Sequence, residues 1–288
     1  MLTMGEHFKS KLNSLQKLLP EGLLAPTSWL EARGYSRSLL AGYTKRGWLE
    51  SPARGVYRRP GSSLDWKHVV ATLQQQVVGE RAPLVHVGGL TALEHRGMAH
   101  YVRLGKRRPV LLYGAATLPA WVNGMPLDEQ FVSRPDTMFA SLRVWRAADG
   151  RLVDENGGAL NEDALAERGL MEVASGRDEW KLVYATEERA MLEMLGEVPG
   201  RETLDHADLV MQGRVGFRPA RVTRLLAACT SVKTKRLFLA LAERHQHAWL
   251  SRLEWSAFNW GSGKRRLFAG EPMHPKYQIS WPKFDDRV

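Results

Sequence analysis

Cysteine is nearly absent from this sequence, and it contains no long apolar run. The single cysteine among 288 residues, Cys229, excludes an internal disulfide and indicates a reducing compartment. Because it lies in the apolar run from Leu225 onward, we expect its thiol to be buried and inert. No stretch approaches the roughly 18–20 apolar residues that span a bilayer. The first 22 residues are not expected to act as a signal peptide, since lysines interrupt their apolar positions. The sequence therefore predicts a cytoplasmic protein.

Basic residues are in excess, and they are unevenly distributed. The net charge is +10. Residues 1–62 hold ten Lys/Arg against four Asp/Glu, residues 63–213 sixteen against twenty-two, and residues 214–288 fifteen against five. Two basic ends flanking an acidic middle are typical of a protein with separate nucleic-acid surfaces. The length suits two domains, and the turn-forming run at 60–63 predicts a boundary between domain 1–62 and domain 63–288.

The stretch 27–60 has the pattern of a winged helix-turn-helix. A short helix capped by Thr27 or Ser28 ends at Gly34, and Ser36 caps a second helix that ends at Gly47. Two short strands, 48–50 and 56–58, then form a basic hairpin. A further helix over 8–19 precedes them. We therefore predict an α+β protein, with an N-terminal winged helix-turn-helix followed by a larger mixed α/β domain.

The outward face of the second helix carries small or basic residues and no acid. Such a helix fits the major groove, which is about 12 Å wide, with its N-terminal residues at the base edges. The hairpin arginines would then contact flanking phosphates or the minor groove. The alternative is a small helical lobe with an ordinary solvated basic face. The predicted contacts to double-stranded DNA are Ser36, Arg37, Ser38, Thr44, Lys45, Arg46, Arg54, Arg58 and Arg59.

The second domain alternates predicted helices and strands. Helices are expected over 65–78, 90–96, 222–229 and 231–246, and strands over 84–87, 109–113, 131–133 and 182–185. Thr186 is placed to cap the helix that follows the last strand, and 149–158 is expected to be a solvated loop. The glycine pair Gly88-Gly89 between a strand and a helix permits a phosphate cradle. It lacks the spacing of a nucleotide motif, however, and close packing is the favoured interpretation.

The chain carries little that indicates catalysis. The histidine spacings do not fit a metal site, so neither a metal nor a cofactor is predicted. The segment 261–264 lacks the first glycine of a phosphate-binding loop, and Lys264, Arg265 and Arg266 form a basic turn instead. Asp136 together with Glu179 and Lys181 has the residue types of a metal-dependent nuclease. This alternative requires a long gap between them, and we expect a protein that is not an enzyme.

Four stretches resemble the AbiEi family of antitoxins from type IV toxin–antitoxin systems. They are GWLESPARGVYRRPG at 47–61, ATEERAMLEML at 185–195, SVKTKRLFLALAERHQHAWL at 231–250, and GSGKRRLFAGEP with KYQIS within 261–280. They occur in the family order, and the last three are the more specific. The region 139–178 shows no such resemblance.

The resemblance implies two tasks. The winged helix would bind inverted repeats in the promoter of its own operon and repress it. The C-terminal domain would counteract a nucleotidyltransferase toxin, a functional partner that acts on the same process without a tight complex. A one-component regulator with a ligand-sensing C-terminal domain is the alternative. Candidates for the antitoxin function, chosen on charge and motif position and expected on the outside, are Lys233, Lys235, Arg236, Lys264, Arg265 and Arg266.

Overall fold

The computed structural model describes residues 4–61, 63–75, 77, 79–95, 108–115, 117–175 and 180–282. The first six elements form the winged helix: α1 Met4–Leu18, β1 Leu24–Pro26, α2 Thr27–Glu31, α3 Arg37–Lys45, β2 Glu50–Ala53 and β3 Val56–Arg58. The three strands form one antiparallel sheet in the order β1-β3-β2. Helix, strand, two helices and a hairpin in this sequence order confirm the winged helix-turn-helix.

Turn and capping residues explain most of these boundaries. Gly34 and Gly47 adopt φ angles of 82° and 72°, a left-handed conformation that ends a helix and that glycine tolerates. The Ser36 hydroxyl accepts a hydrogen bond of 3.4 Å from the Leu39 amide, which confirms the predicted cap of α3. The predicted side-chain cap of α2 is wrong. Pro26 is the N-cap residue, and the Thr27 hydroxyl instead donates to the Gly55 carbonyl in the hairpin turn.

The strands of the winged helix differ from the prediction in two places. The first strand of the hairpin begins at Glu50 rather than at Trp48. Strand β1 was not predicted, because it has only three residues and ends in a proline. Its partner is β3, with Ala25 opposite Tyr57. This pairing fastens the hairpin to the segment that leads into α2.

Sixteen further helices and strands follow within the described residues. They are α4 Trp66–Gln75, β4 Arg81–Pro83, β5 His86–Val87, α5 Gly89–His95, β6 Pro109–Tyr113, α6 Ala120–Asn123, β7 Gln130–Arg134, β8 Trp145–Ala147, β9 Leu152–Val153, α7 Glu162–Glu167, β10 Leu170–Ala174, β11 Lys181–Ala185, α8 Glu187–Gly196, α9 Leu204–Gln212, α10 Pro219–Ala228 and α11 Val232–Arg244. Short 3-10 helices lie at Ala140–Leu142, Ala248–Arg252 and Trp255–Ala257. None of the helices in the described ranges combines the length and apolarity that crossing a bilayer requires.

Two sheets organise this part of the chain. The larger one has the order β10-β11-β5-β6-β7, with parallel pairs β11/β5 and β6/β7 and antiparallel pairs β10/β11 and β5/β6. A small antiparallel sheet has the order β4-β8-β9. The predicted solvated loop at 149–158 is therefore wrong in part, because β9 lies within it. The region without family resemblance, 139–178, supplies β8, β9, α7 and β10.

Helix α8 lies at the centre of the larger core. Its residues Met191, Leu192 and Leu195 are completely buried, and it packs against α5, α10 and α11. Cys229, at the end of α10, is buried as expected, and burial raises the pKa of its thiol. Thr186 is the N-cap residue of α8, but its hydroxyl forms no hydrogen bond with the described residues, so its predicted capping contact is wrong.

Helix α4 connects the winged helix to the larger sheet. The Thr72 hydroxyl accepts a hydrogen bond of 3.0 Å from the Leu24 amide of β1. Two residues later, the Gln74 side chain donates to the Val183 carbonyl and accepts from the Val183 amide of β11, at 2.9 and 2.8 Å. The domain boundary at residue 62 stays a prediction. The hydrophobic core itself continues from the winged helix into the second part of the chain.

A buried ionic network lies between α8 and the larger sheet. Arg189 donates to Asp136 at 2.7 Å and to Glu193 at 2.8 Å, and the His86 ring nitrogen lies 2.8 Å from the same Glu193 oxygen. The other oxygen of Glu193 accepts from the Gly89 amide at 2.9 Å. Burial alone would raise the pKa of Glu193, but its contacts with the His86 and Arg189 side chains outweigh burial and lower it.

Close packing against this network explains the glycine pair Gly88-Gly89. A Cβ atom on Gly88 would lie 2.1 Å from the Glu193 carboxylate, much closer than a van der Waals contact allows. The interpretation of Gly88-Gly89 as a site of close packing is therefore confirmed. A carboxylate of the protein itself occupies the position that a phosphate would have to take.

Candidate nucleic-acid interface

Helix α3 presents one apolar face to the core and one polar face to solvent. Leu40 and Tyr43 are completely buried and fix the rotation of the helix. Arg37, Ser38 and Lys45 are consequently exposed along the opposite side. The cationic face of α3 is therefore open, as a helix that enters the major groove requires.

The remaining predicted contacts on and beside α3 have local partners. The Thr44 hydroxyl donates to the Leu40 carbonyl at 3.0 Å, and Arg46 donates to the Gly42 carbonyl at 3.2 Å. The hydroxyls of Ser36 and Ser38 lie 3.1 Å apart. Thr44 is half-buried, whereas Ser36 and Arg46 are exposed at opposite ends of the helix.

The neighbouring helix α2 places an acid beside α3 that was not predicted from the sequence. Arg37 is 78% exposed, and its Nε donates to the Glu31 carboxylate of α2 at 2.8 Å. Helix α3 itself has no acid, as predicted. The six-residue separation across the Gly34 turn places Glu31 beside it nonetheless. A search for acids on the preceding helix of the motif could have found this pair.

The three hairpin arginines occupy different surroundings. Arg54 is exposed in the turn between β2 and β3, and Arg59 is half-buried just beyond β3. The Arg58 side chain is only 13% exposed, and two of its nitrogens lie 2.7 Å from one oxygen of Glu50 on the adjacent strand. Arg58 therefore joins β2 to β3, whereas Arg54 presents its charge to the outside.

The expected exposure of the three candidate residues on α11 is wrong for two of them. Arg236 is 2% exposed and donates to the carbonyls of Trp260, Gly261, Gly263 and Gln278 at 2.5–3.1 Å. Lys235 is also buried and donates to the Asn259 carbonyl. A long cationic side chain reaches several backbone carbonyls at once, so these residues hold the C-terminal segment onto α11.

Lys233, the third of the candidate residues on α11, is half-buried. Lys233 donates to the carbonyls of Gly196 and Val198 at 2.7 and 2.6 Å, at the end of α8. Burial lowers the pKa of its ammonium group.

By contrast, the side chains of the basic turn are exposed, and the Arg236 contacts at 261 and 263 hold the backbone that carries them. The basic turn comprises Lys264, Arg265 and Arg266.

The residues of the nuclease alternative do not share one environment. Asp136 lies in the buried network with Arg189. Lys181 is half-exposed and pairs with Glu172 at 3.4 Å. Glu179, the third member of that set, lies outside the described residues. The carboxylate that would hold a metal is thus already bound to an arginine.

The order of the N-terminal helices and strands, with an exposed polar face on α3 beside a basic hairpin, defines a winged-helix protein. The chain belongs to the AbiEi antitoxin family. Residues 8–104 match the family described as transcriptional regulator, AbiEi antitoxin N-terminal domain, and residues 107–282 match transcriptional regulator, AbiEi antitoxin, type IV TA system. The resemblance predicted from the sequence is confirmed. The family is one of transcriptional regulators and antitoxins, not a family of enzymes.

One solved structure resembles the chain over nearly its whole length. It is the crystal structure of the RV2827C protein from Mycobacterium tuberculosis, which is 17% identical in sequence. The match covers 95% of this chain and 90% of that one, with a TM-score of 0.49. A search among curated proteins gave no match.

Proposed function

We propose that the winged helix binds inverted repeats in the promoter of its own operon and represses transcription. The observation that carries this proposal is the open cationic face of α3. Arg37, Ser38 and Lys45 are exposed together on one side of a helix whose other side is fixed in the core. A rigid helix with exposed polar and basic residues suits direct contact with base edges.

The exposed polar and basic residues divide into two groups by position. Arg37 and Ser38 lie in the first turn of α3, where a recognition helix meets bases. Arg54 on the hairpin turn and Lys45 at the end of α3 suit phosphate contacts, which position a protein without reading sequence. Arg58 supports the hairpin through Glu50 and contributes to binding indirectly.

The C-terminal part, we further propose, counteracts a nucleotidyltransferase toxin encoded by the same operon. The basic turn is the surface that this task would use, since its three cations are exposed. Lys235 and Arg236 serve the same task by holding the turn in place. Lys233 fixes the start of α11 to the end of α8. An exposed basic turn in this role is compatible with action on a target shared with the toxin, without a stable complex between the two proteins.

The test is duplex binding by the full chain, measured by mobility shift on its own upstream promoter. Arg37→Ala is expected to weaken binding to the operator by roughly 1–3 kcal/mol and to relax sequence preference. Lys45→Ala is expected to weaken binding to operator and unrelated duplex alike. Arg151→Ala, an exposed change in the hairpin of β8 and β9, is the control and should leave binding unchanged. Unaltered operator affinity in both α3 variants would overturn the proposal.

A further inference from the structure

A cleft of about 950 Å³ lies between the winged helix and the segment that leads into α6. One wall is formed by α2 and the hairpin, with Trp29 and Tyr57, and the other by Leu118 and Trp121. Arg37 and Arg54 also line it. We call this space the wing cleft. Pockets of small-molecule ligands measure roughly 300–1,000 Å³, are mostly apolar and aromatic, and often lie between domains.

We propose that the wing cleft binds a planar aromatic carboxylate. Tyr57 and Trp121 are half-buried and offer ring surface against which a planar ring can pack, whereas Trp29 is only 7% exposed, with the Arg33 guanidinium 3.9 Å from the centre of its ring. The two arginines supply a complementary charge for an anion, and Arg54 forms no ion pair with any described residue. The proposal adds to the repressor function a small-molecule site within the same molecule.

The structure itself shows how the carboxylate would be held. Arg37 already binds a carboxylate at the cleft, that of Glu31, at 2.8 Å. Planar guanidinium groups pair with carboxylates through parallel hydrogen bonds. The ligand carboxylate replaces Glu31 on Arg37, and the ligand ring lies between Tyr57 and Trp121. Loss of an exposed ion pair costs little, so Glu31 gives way readily.

Occupancy of the wing cleft opposes DNA binding. Arg37 and Arg54 are proposed contacts to DNA and also line the cleft, so a bound anion neutralises charge that the duplex would use. This part rests on the proposed function. Binding of the ligand itself does not, and the two parts are therefore measured separately.

The probe is anthracenecarboxylate, a fluorescent planar anion, titrated into the full chain without DNA. Trp121→Ala removes the ring that the second part of the chain contributes to the cleft. It is expected to weaken probe binding about tenfold or more, and Arg54→Ala to weaken it several-fold. Glu31→Gln is expected to strengthen binding, because Arg37 loses its competing carboxylate. Lys45→Ala, which lies outside the cleft, is the matched control and should change the affinity less than about twofold.

Two analogues separate ring from charge. Anthracenecarboxamide keeps the ring without the anion, and cyclohexanecarboxylate keeps the anion without the aromatic surface. Both should bind much more weakly than the probe. Absence of probe binding, or equal affinity in wild type and Trp121→Ala, would overturn the site. If the probe binds but does not weaken duplex binding at saturation, the proposed opposition to DNA is wrong while the site stands.

Discussion

Arg37 on α3 donates a hydrogen bond of 2.8 Å to the carboxylate of Glu31 on α2. In the proposed function, the candidate recognition helix would therefore meet DNA beside an anion of its own protein. To contact a base or a phosphate, the guanidinium must leave this carboxylate or share its donors with it. The pair is largely solvated, and exposed ion pairs contribute only about 0–1 kcal/mol, so the competition is mild.

Glu31→Gln should strengthen duplex binding. The substitution removes a negative charge next to the DNA and frees Arg37, and we expect a gain of about 0.5–1 kcal/mol in binding free energy. Mobility shifts at several salt concentrations measure it. Glu21→Gln, which removes another exposed acid of the winged helix, is the control and should give a smaller change. Equal or weaker binding by Glu31→Gln would show that Arg37 does not face the duplex.

Alanine substitutions of Arg54 and Arg58 should affect DNA binding for different reasons. Arg54→Ala should lower the slope of log affinity against log salt by roughly 0.9, one phosphate contact, with unfolding free energy unchanged within about 0.5 kcal/mol. Arg58→Ala breaks the pair with Glu50 and should weaken binding to all duplexes while also lowering stability. Denaturant unfolding beside the salt series separates the two. A normal stability with Arg58→Ala would contradict its assigned role in the hairpin.

Arg236→Gln should destabilise the C-terminal segment. The arginine donates to four backbone carbonyls, and glutamine is too short to replace a guanidinium that reaches all of them. Hydrogen bonds to charged groups contribute about 1.5–3 kcal/mol each, and we expect a total loss of roughly 3 kcal/mol or more in unfolding free energy. Urea unfolding and protease cleavage near residue 263 measure it. Arg265→Gln, an exposed change in the basic turn, is the control and should leave both unchanged.

The fold was predictable where local chemistry decides it. Gly34 forms the turn after α2, and Ser36 and Gly47 mark the limits of α3, through capping and left-handed backbone that the sequence shows. The five-stranded sheet was not predictable in the same way, because β5 has two residues and its neighbours are far away in sequence. Strand pairing of that kind depends on tertiary contacts that leave no periodic pattern.

The candidate site was predictable in composition but not in its electrostatics. A count of charges along α3 finds Arg37 and Lys45, yet it does not show that Glu31 pairs with one of them. The same limit applies to α11, where helical spacing places Arg236 outside. The arginine is buried because distant carbonyls at 260–263 and 278 accept from it. Whether a cation faces solvent or the backbone of another segment depends on the fold around it.

Glu193→Gln should change how stability depends on pH. The pKa of Glu193 is lowered in the folded protein, so its carboxylate adds stability above the ordinary glutamate pKa of about 4.3, and this contribution disappears as the pH falls. The variant leaves Arg189 with one carboxylate partner, Asp136. We expect a loss of about 3–5 kcal/mol near neutral pH. As the pH falls below the ordinary glutamate pKa, the difference between the two proteins should shrink.

Urea unfolding between pH 3 and pH 8 gives the difference between wild type and Glu193→Gln at each pH. Glu162→Gln, at an exposed position of α7, is the control and should follow the wild-type curve within about 0.5 kcal/mol. A constant difference across the whole range would mean that the charge of Glu193 does not contribute, and that the cost comes from packing alone.

Substitution of the basic turn should separate the two proposed tasks. Alanine at Lys264, Arg265 and Arg266 removes three exposed charges without touching α3 or the hairpin, so operator affinity should stay within about twofold of wild type. In cells that also express the toxin of the same operon, rescue of growth should be lost. Lys45→Ala with Arg54→Ala is the reciprocal variant, and it should lose repression but retain rescue. Both variants should unfold at wild-type urea concentrations, because every substituted side chain is exposed.

If the triple alanine variant rescues growth fully, the toxin is neutralised by another surface. If it instead loses operator affinity, the basic turn contributes to DNA binding, and the charges of the two chain ends act on one duplex rather than on two targets.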